Sequence, residues 1–174
     1  MLIDVGRIIA DKYELVRLLG RGSAGEVWSA CHQTLHEPVA IKILVQPGTQ
    51  AAGGAAPEED GEDASVGVAR FRFEAQTAAR LSRKTRHIVR VMDYGEQDRL
   101  AYLVMELLEG RTLGLTLGQD RGSGNRPSQG GDATRETVPL AQAAHIVSQI
   151  ARALGVAHGE AVAHRDLKPA NIFL

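Results

Sequence analysis

The densest chemistry in the chain lies in the string His164-Arg-Asp-Leu-Lys-Pro-Ala-Asn171. Asp166 and Asn171 stand five apart across a proline-containing loop, with Lys168 between them. A carboxylate can accept a hydroxyl proton, an amide oxygen can hold a divalent metal, and a lysine can neutralise a transferring phosphoryl group. Lys42 is a second candidate. It sits in the β-branched run from Val39 to Val45, where desolvating a lone ammonium is costly, so it needs anionic partners. Phosphates and a carboxylate would serve, and Glu74 is the natural carboxylate. Taken singly, Lys42 also fits an edge-strand lysine facing solvent, and Glu74 an exposed helix residue. A third candidate is Gly20-x-Gly22-x-x-Gly25-x-Val27, whose glycines let backbone N–H groups approach phosphate oxygens closely. Alone, this pattern fits a plain glycine hairpin equally well. A dinucleotide fingerprint needs a helix after the loop, and Val27–Cys31 reads as a strand. No G-x-x-x-x-G-K-[ST] string occurs, which argues against a P-loop nucleotide hydrolase.

These residues need elements to hold them. Tyr13–Leu19, Glu26–Cys31 and Val39–Val45 read as strands, with the glycine loop between the first two. Residues 46–68 hold glycines, prolines and five acids with no Lys or Arg, and read as a disordered insertion. Ala69–Arg83 reads as a helix, with Phe71, Ala75, Ala78 and Leu81 or Ser82 at helical spacing and Glu74 on the inner side. Ile88–Met92 and Ala101–Glu106 read as further strands, with Asp93–Arg99 the turn between them. Residues 118–137 are low in complexity and read as a second, flexible insertion. A helix follows over 140–158, lined by Ala143, Ile146, Val147, Ile150, Ala153, Leu154 and Ala157. The organisation expected is a lead over 1–12, a first lobe over 13–108 and a second over 109–174, with the loop 164–171 near its end.

Composition narrows the function classes. The 174 residues carry 20 Lys+Arg against 21 Asp+Glu, a net charge of -1, so binding nucleic acid or an anionic membrane is not the main business of the chain. One cysteine, Cys31, excludes an intrachain disulfide and fits a reducing compartment. The histidines outside the 164–171 loop show no metal spacing. No apolar run reaches the roughly 18 residues of a membrane span, and no targeting segment is visible at the start, so a cytoplasmic location is expected.

At this point the sequence resembles a known family, the eukaryotic-like serine/threonine protein kinases of bacteria. The resemblance rests on Gly20–Val27, Val39–Lys42, Arg70–Ala75, Tyr102–Glu106 and His164–Asn171, in family order, and covers the chain from about Tyr13 to Leu174. It implies an α+β fold: a protein-kinase-like small lobe of five antiparallel strands and one main helix, then the helical start of a large lobe. It implies ATP and Mg²⁺ as cofactors and protein substrates with Ser/Thr acceptors. Gly20, Gly22 and Gly25 would cover the phosphates. Val27 and Ala40 would lie above the adenine and Phe173 below it. Lys42 would hold the α- and β-phosphates and pair with Glu74. Met105 would be the gatekeeper, and the backbone of Glu106 and Leu108 would bond the adenine edge. Asp166 would orient or deprotonate the substrate hydroxyl, Lys168 approach the γ-phosphate and Asn171 bind Mg²⁺. Arg165 resembles the arginine that binds an activation-loop phosphate.

The family's Asp-Phe-Gly segment, which brings the main Mg²⁺ ligand, occurs nowhere in the 174 residues. The expectation is therefore the N-terminal part of a kinase domain, inactive alone. The alternative is a non-catalytic kinase-like module that binds nucleotide or regulates a partner.

Overall fold

The computed structural model describes residues 3–22, 25–45, 61–97, 100–118 and 138–174. The chain divides into two compact units, Met1–Leu107 and Leu108–Leu174.

The first unit is built on an antiparallel sheet of strands β1 (Ile8–Ile9), β2 (Tyr13–Gly22), β3 (Gly25–His32), β4 (Glu37–Val45), β5 (Val91–Gln97) and β6 (Leu100–Glu106), in the order β1-β2-β3-β4-β6-β5. Six strands thus replace the expected five; the added one, β1, is a two-residue rung against Glu14 and Tyr13. The period-two alternation of β3 and β4 sorts their side chains onto two faces. One face carries Trp28, Ala30, Val39, Ile41 and Ile43, which join Ile9, Tyr13, Leu15, Leu100, Tyr102 and Val104 in the larger core. The sheet curls so that the β1–β2 turn and the start of β2 reach β5. The Ala10 N–H donates to Gln97 Oε1 at 2.7 Å, and Tyr13 Oη donates to Asp93 Oδ2 at 3.1 Å.

Helix α1 (Gly61–Ser82) packs on the other face. Phe71 and Ala75 are buried there with Ala101 and Leu103, flanked by Leu44, Val68, Val91 and Tyr94. The helix starts eight residues before the expected Ala69, so 61–68 belong to it and not to a loop. Acidic residues look like solvated linker by composition, yet 61–68 continue the helix that Val68, Phe71 and Ala75 dock on the sheet. The rest of that insertion, 46–60, lies outside the described residues, as do 119–137.

Strand β5 also differs from expectation. Asp93–Gln97, expected as a turn, is strand, and Ile88–Arg90 precede it. Polar residues and a glycine suggest a turn, but β5 is an edge and must pair on one side only. Gly95 lies opposite Tyr102, and a Cβ there would stand 2.2 Å from the tyrosine oxygen, so the glycine makes room for the ring.

The second unit contains α2 (Leu113–Thr116), α3 (Leu140–Gly159) and a 3-10 turn at Pro169–Asn171. Thr112 caps α2, its hydroxyl accepting from the Leu115 N–H at 3.1 Å. On α3, Ile146 and Ala157 are buried, while Val147, expected on the same apolar face, is 63% exposed. No helix among the described residues is long and apolar enough to cross a membrane.

Candidate functional site

In the first unit, cross-strand pairing gathers the expected residues onto one face. Gly20 lies opposite Val27, Val27 opposite Lys42, and Ala40 opposite Met105. Partners in register share a face, and so do Ala40 and Lys42, two apart on β4. This is the face that α1 partly covers. Gly22 and Gly25 pair at the end of the β2–β3 hairpin. The glycines are there for different reasons. Gly25 has φ +109°, and a Cβ on it would stand 2.1 Å from the Ile43 carbonyl oxygen. A Cβ on Gly20 or Gly22 would meet no protein atom within 4 Å. Packing therefore demands glycine at 25 but not at 20 or 22.

Lys42 Nζ stands 3.9 Å from Glu74 Oε2 and 5.4 Å from the centre of the Phe71 ring. Glu74 is shared, since Arg70 Nε approaches its other oxygen at 3.5 Å. The helix that carries Glu74 is tied to the sheet by polar contacts as well as by Phe71. Arg72 Nη2 bonds Glu96 Oε1 at 2.6 Å, and Tyr94 Oη donates to the same oxygen at 2.6 Å. These bonds, Tyr94 first and Arg72 second, hold the Glu96 carboxyl below its ordinary pKa. Met105 is half-buried at the end of β6. The Glu106 N–H donates to the Arg90 carbonyl at 3.0 Å, and its carboxylate accepts from the Arg90 N–H at 2.7 Å.

In the second unit, the loop before the 3-10 turn brings Asp166, Lys168 and Asn171 together. Lys168 Nζ lies 2.9 Å from Asp166 Oδ2. Asn171 Nδ2 donates to the Asp166 carbonyl at 2.8 Å and to Oδ2 at 3.1 Å. The Lys168 hydrogen bond, then that of Asn171, depresses the Asp166 pKa, so the carboxylate is kept ionised and accepting. The Asp166 N–H donates to the His164 carbonyl at 2.8 Å. Between them Arg165 takes φ +60°, a left-handed conformation that a non-glycine residue holds only when its surroundings demand it. Phe173 is 43% exposed and forms a β-bridge with Thr112. Leu108 begins this unit and is half-buried.

Two features of the site go beyond what the sequence leads one to expect. Phe71 serves as the apolar floor of Lys42 as well as a core residue, and Arg70 competes with Lys42 for Glu74. The i,i+4 spacing of Arg70 and Glu74 carried the second signal. The first needed the docking angle of α1.

The family model described as "Protein kinase domain" matches residues 13–174. Over 162 residues, 93% of the chain, it is 37% identical to the serine/threonine-protein kinase PknD of Mycobacterium tuberculosis, covering 20% of that protein. It is 34% identical over 175 residues to PknA of the same organism, covering 98% of this chain and 34% of that one. It is 31% identical over 176 residues to the probable serine/threonine-protein kinase PknB of Lactococcus lactis, covering 99% and 23%. The crystal structure of the M. tuberculosis PknI kinase domain superposes with a TM-score of 0.66 at 27% identity, over 99% of this chain and 57% of that one. The chain belongs to the protein kinase domain family, among the bacterial serine/threonine kinases of eukaryotic type. It spans between 20% and 34% of the length of these curated relatives.

Proposed function

We propose that this chain supplies the nucleotide-holding lobe and the catalytic loop of a serine/threonine protein kinase, which moves the γ-phosphoryl group of ATP to a protein hydroxyl. The observation that carries the reading is the Asp166–Lys168–Asn171 cluster, with the carboxylate bonded at 2.9 and 3.1 Å. An ionised carboxylate beside a lysine in this loop favours phosphoryl transfer over nucleotide binding alone. Asp166 would accept or orient the proton of the attacking hydroxyl while Lys168 offsets charge on the transferring group.

The residues fit the groups the family uses. Open space beside Gly20 and Gly22 suits phosphates brought close to backbone, and Lys42 on the same face suits the α- and β-phosphates. Val27, Ala40 and Met105 offer an apolar patch for the adenine. Glu106 can offer the base only its carbonyl, because its N–H is held by Arg90. In the second unit, Leu108 and Phe173 are the residues that the family resemblance assigns to the adenine. The two hydrogen bonds of Asn171 to Asp166 use its NH₂ group, which leaves the amide oxygen as the ligand for Mg²⁺. When bound, Mg²⁺ supplies positive charge against the phosphate oxygens.

The test is ATP-dependent labelling of a generic serine/threonine substrate by the native protein and by its Asp166→Asn variant. Labelling that survives the substitution unchanged would refute the role given to Asp166. A polypeptide of these 174 residues alone is expected to bind nucleotide without appreciable labelling, because it contains no Asp-Phe-Gly segment.

A further inference from the structure

We infer that Glu26 is a positioning residue: it anchors the glycine hairpin to the core through Arg21 and Trp28, and this anchor sets how tightly the hairpin holds a nucleoside triphosphate. The inference rests on the nucleotide reading given above.

Glu26 is 8% exposed, and a buried carboxylate is costly unless its oxygens are bonded. Both are. Trp28 Nε1 donates to Oε2 at 2.9 Å, and Arg21 Nε meets Oε1 at 2.8 Å. Trp28 is 3% exposed and belongs to the larger core with Leu15, Ile41 and Val104. Arg21 pairs with Glu26 across the hairpin, one rung from the terminal Gly22–Gly25 pair. A chain of contacts therefore runs from the core through Trp28 and Glu26 to Arg21 near the tip.

Among the described residues of the hairpin, the end of β2 has few other contacts to hold it. Past Leu18, β2 is exposed, and Gly20 and Gly22 have no side chain to pack. The register slips twice, between Leu15 and Arg17 and between Leu18 and Gly20, which bends the hairpin. Glycines also carry the largest backbone entropy to be ordered. Glu26 itself cannot touch a nucleotide on the Lys42 face, because it alternates with Val27 and points into the core. Its effect on the nucleotide must pass through the backbone.

The test combines two measurements on the full chain, for wild type and for Glu26→Gln, Arg21→Ala and Arg21→Lys. Hydrogen exchange of the hairpin amides, read without nucleotide, reports the anchor. Titration with a fluorescent ATP analogue reports affinity. Urea unfolding of each variant checks that the core is intact, since Trp28 itself bonds Glu26 and its emission would respond to the substitution directly. Arg21→Lys keeps a cation beside Glu26 on a side chain that is 62% exposed in the wild type, so it tests the anchor even if Arg21→Ala or Glu26→Gln loosens the fold. Glu26→Gln and Arg21→Ala should speed exchange at the hairpin and weaken the analogue about five-fold, as loss of a partly buried ion pair does, with Arg21→Lys recovering part of both. Unchanged exchange in Arg21→Ala and Glu26→Gln overturns the anchor. Faster exchange with unchanged affinity overturns its role in binding. If wild type binds no analogue, the nucleotide reading fails, and the exchange measurement alone still decides for or against the anchor.

Discussion

Lys42 Nζ lies 3.9 Å from Glu74 Oε2, at the outer limit of an ion pair, and Glu74 is half-exposed. Such a pair contributes little to folding, roughly 0–1 kcal/mol, and Arg70 divides it further. Glu74→Gln should therefore change unfolding free energy in denaturant by less than about 1 kcal/mol. Lys42→Ala should weaken a nucleotide about ten-fold or more while leaving stability nearly as it was. Calorimetric titration with an ATP analogue beside urea unfolding separates the two effects.

Phe71 and Phe73 sit two apart on α1 with opposite surroundings, 4% and 69% exposed. Phe71→Ala should cost about 3–5 kcal/mol, because it opens a cavity against Ala75, Ala101 and Leu103 and removes the floor under Lys42. Phe73→Ala should stay within about 0.5 kcal/mol. Equal losses in urea unfolding would mean that α1 docks in another rotation.

The hairpin glycines should separate fold from ligand. Gly25→Ala places a methyl 2.1 Å from the Ile43 oxygen at φ +109°, so it should destabilise by about 1–3 kcal/mol or more. Gly20→Ala meets no protein atom within 4 Å and should leave the melting temperature nearly unchanged while reducing nucleotide affinity. Thermal unfolding with and without nucleotide checks both.

Tyr13 gives the first unit an alkaline limit. Burial first, then Asp93, raises its pKa from 10.0 to about 12. The folded state holds this proton more tightly than the unfolded one. The contribution is thus fully present below pH 10 and is lost as pH rises towards about 12. Tyr13→Phe should flatten the fall in urea stability across that window. It should not abolish the fall, because Tyr94 and Tyr102 are also raised by burial.

Asp166 titrates in the other direction. Lys168 and then Asn171 lower its pKa from the ordinary value of 3.8. Any stability this adds is present above the unfolded pKa and lost as pH falls through the folded one. Carboxyl chemical shifts followed by NMR should place the Asp166 midpoint below that of a free aspartate. Lys168→Ala should move it up more than Asn171→Ala does.

Much of this was legible in the chain itself. Strands β2, β3 and β4 alternate in a pattern that sorts Trp28, Ile41 and Ile43 from Val27 and Lys42 before any fold is drawn. The five strings Gly20–Val27, Val39–Lys42, Arg70–Ala75, Tyr102–Glu106 and His164–Asn171 identify the family because their residue types and spacings are local. The Asp166–Lys168–Asn171 cluster was legible for the same reason, since a short loop keeps residues five apart within reach.

What the chain could not decide by itself depended on distant partners. The start of α1 at Gly61 is unreadable from an acidic, glycine-containing composition, because the helix is held by Val68, Phe71 and Ala75 meeting the sheet. Strand β5 looks like a turn until β6 lies beside it and the Tyr102 ring covers Gly95. The floor of Lys42 is Phe71, twenty-nine positions away, and the partner of Tyr13 is Asp93, eighty positions away. Residue types and short spacings determined which chemistry the chain can support. The curl of the sheet and the docking of one helix, long-range packing with no local signature, decided which side chains meet.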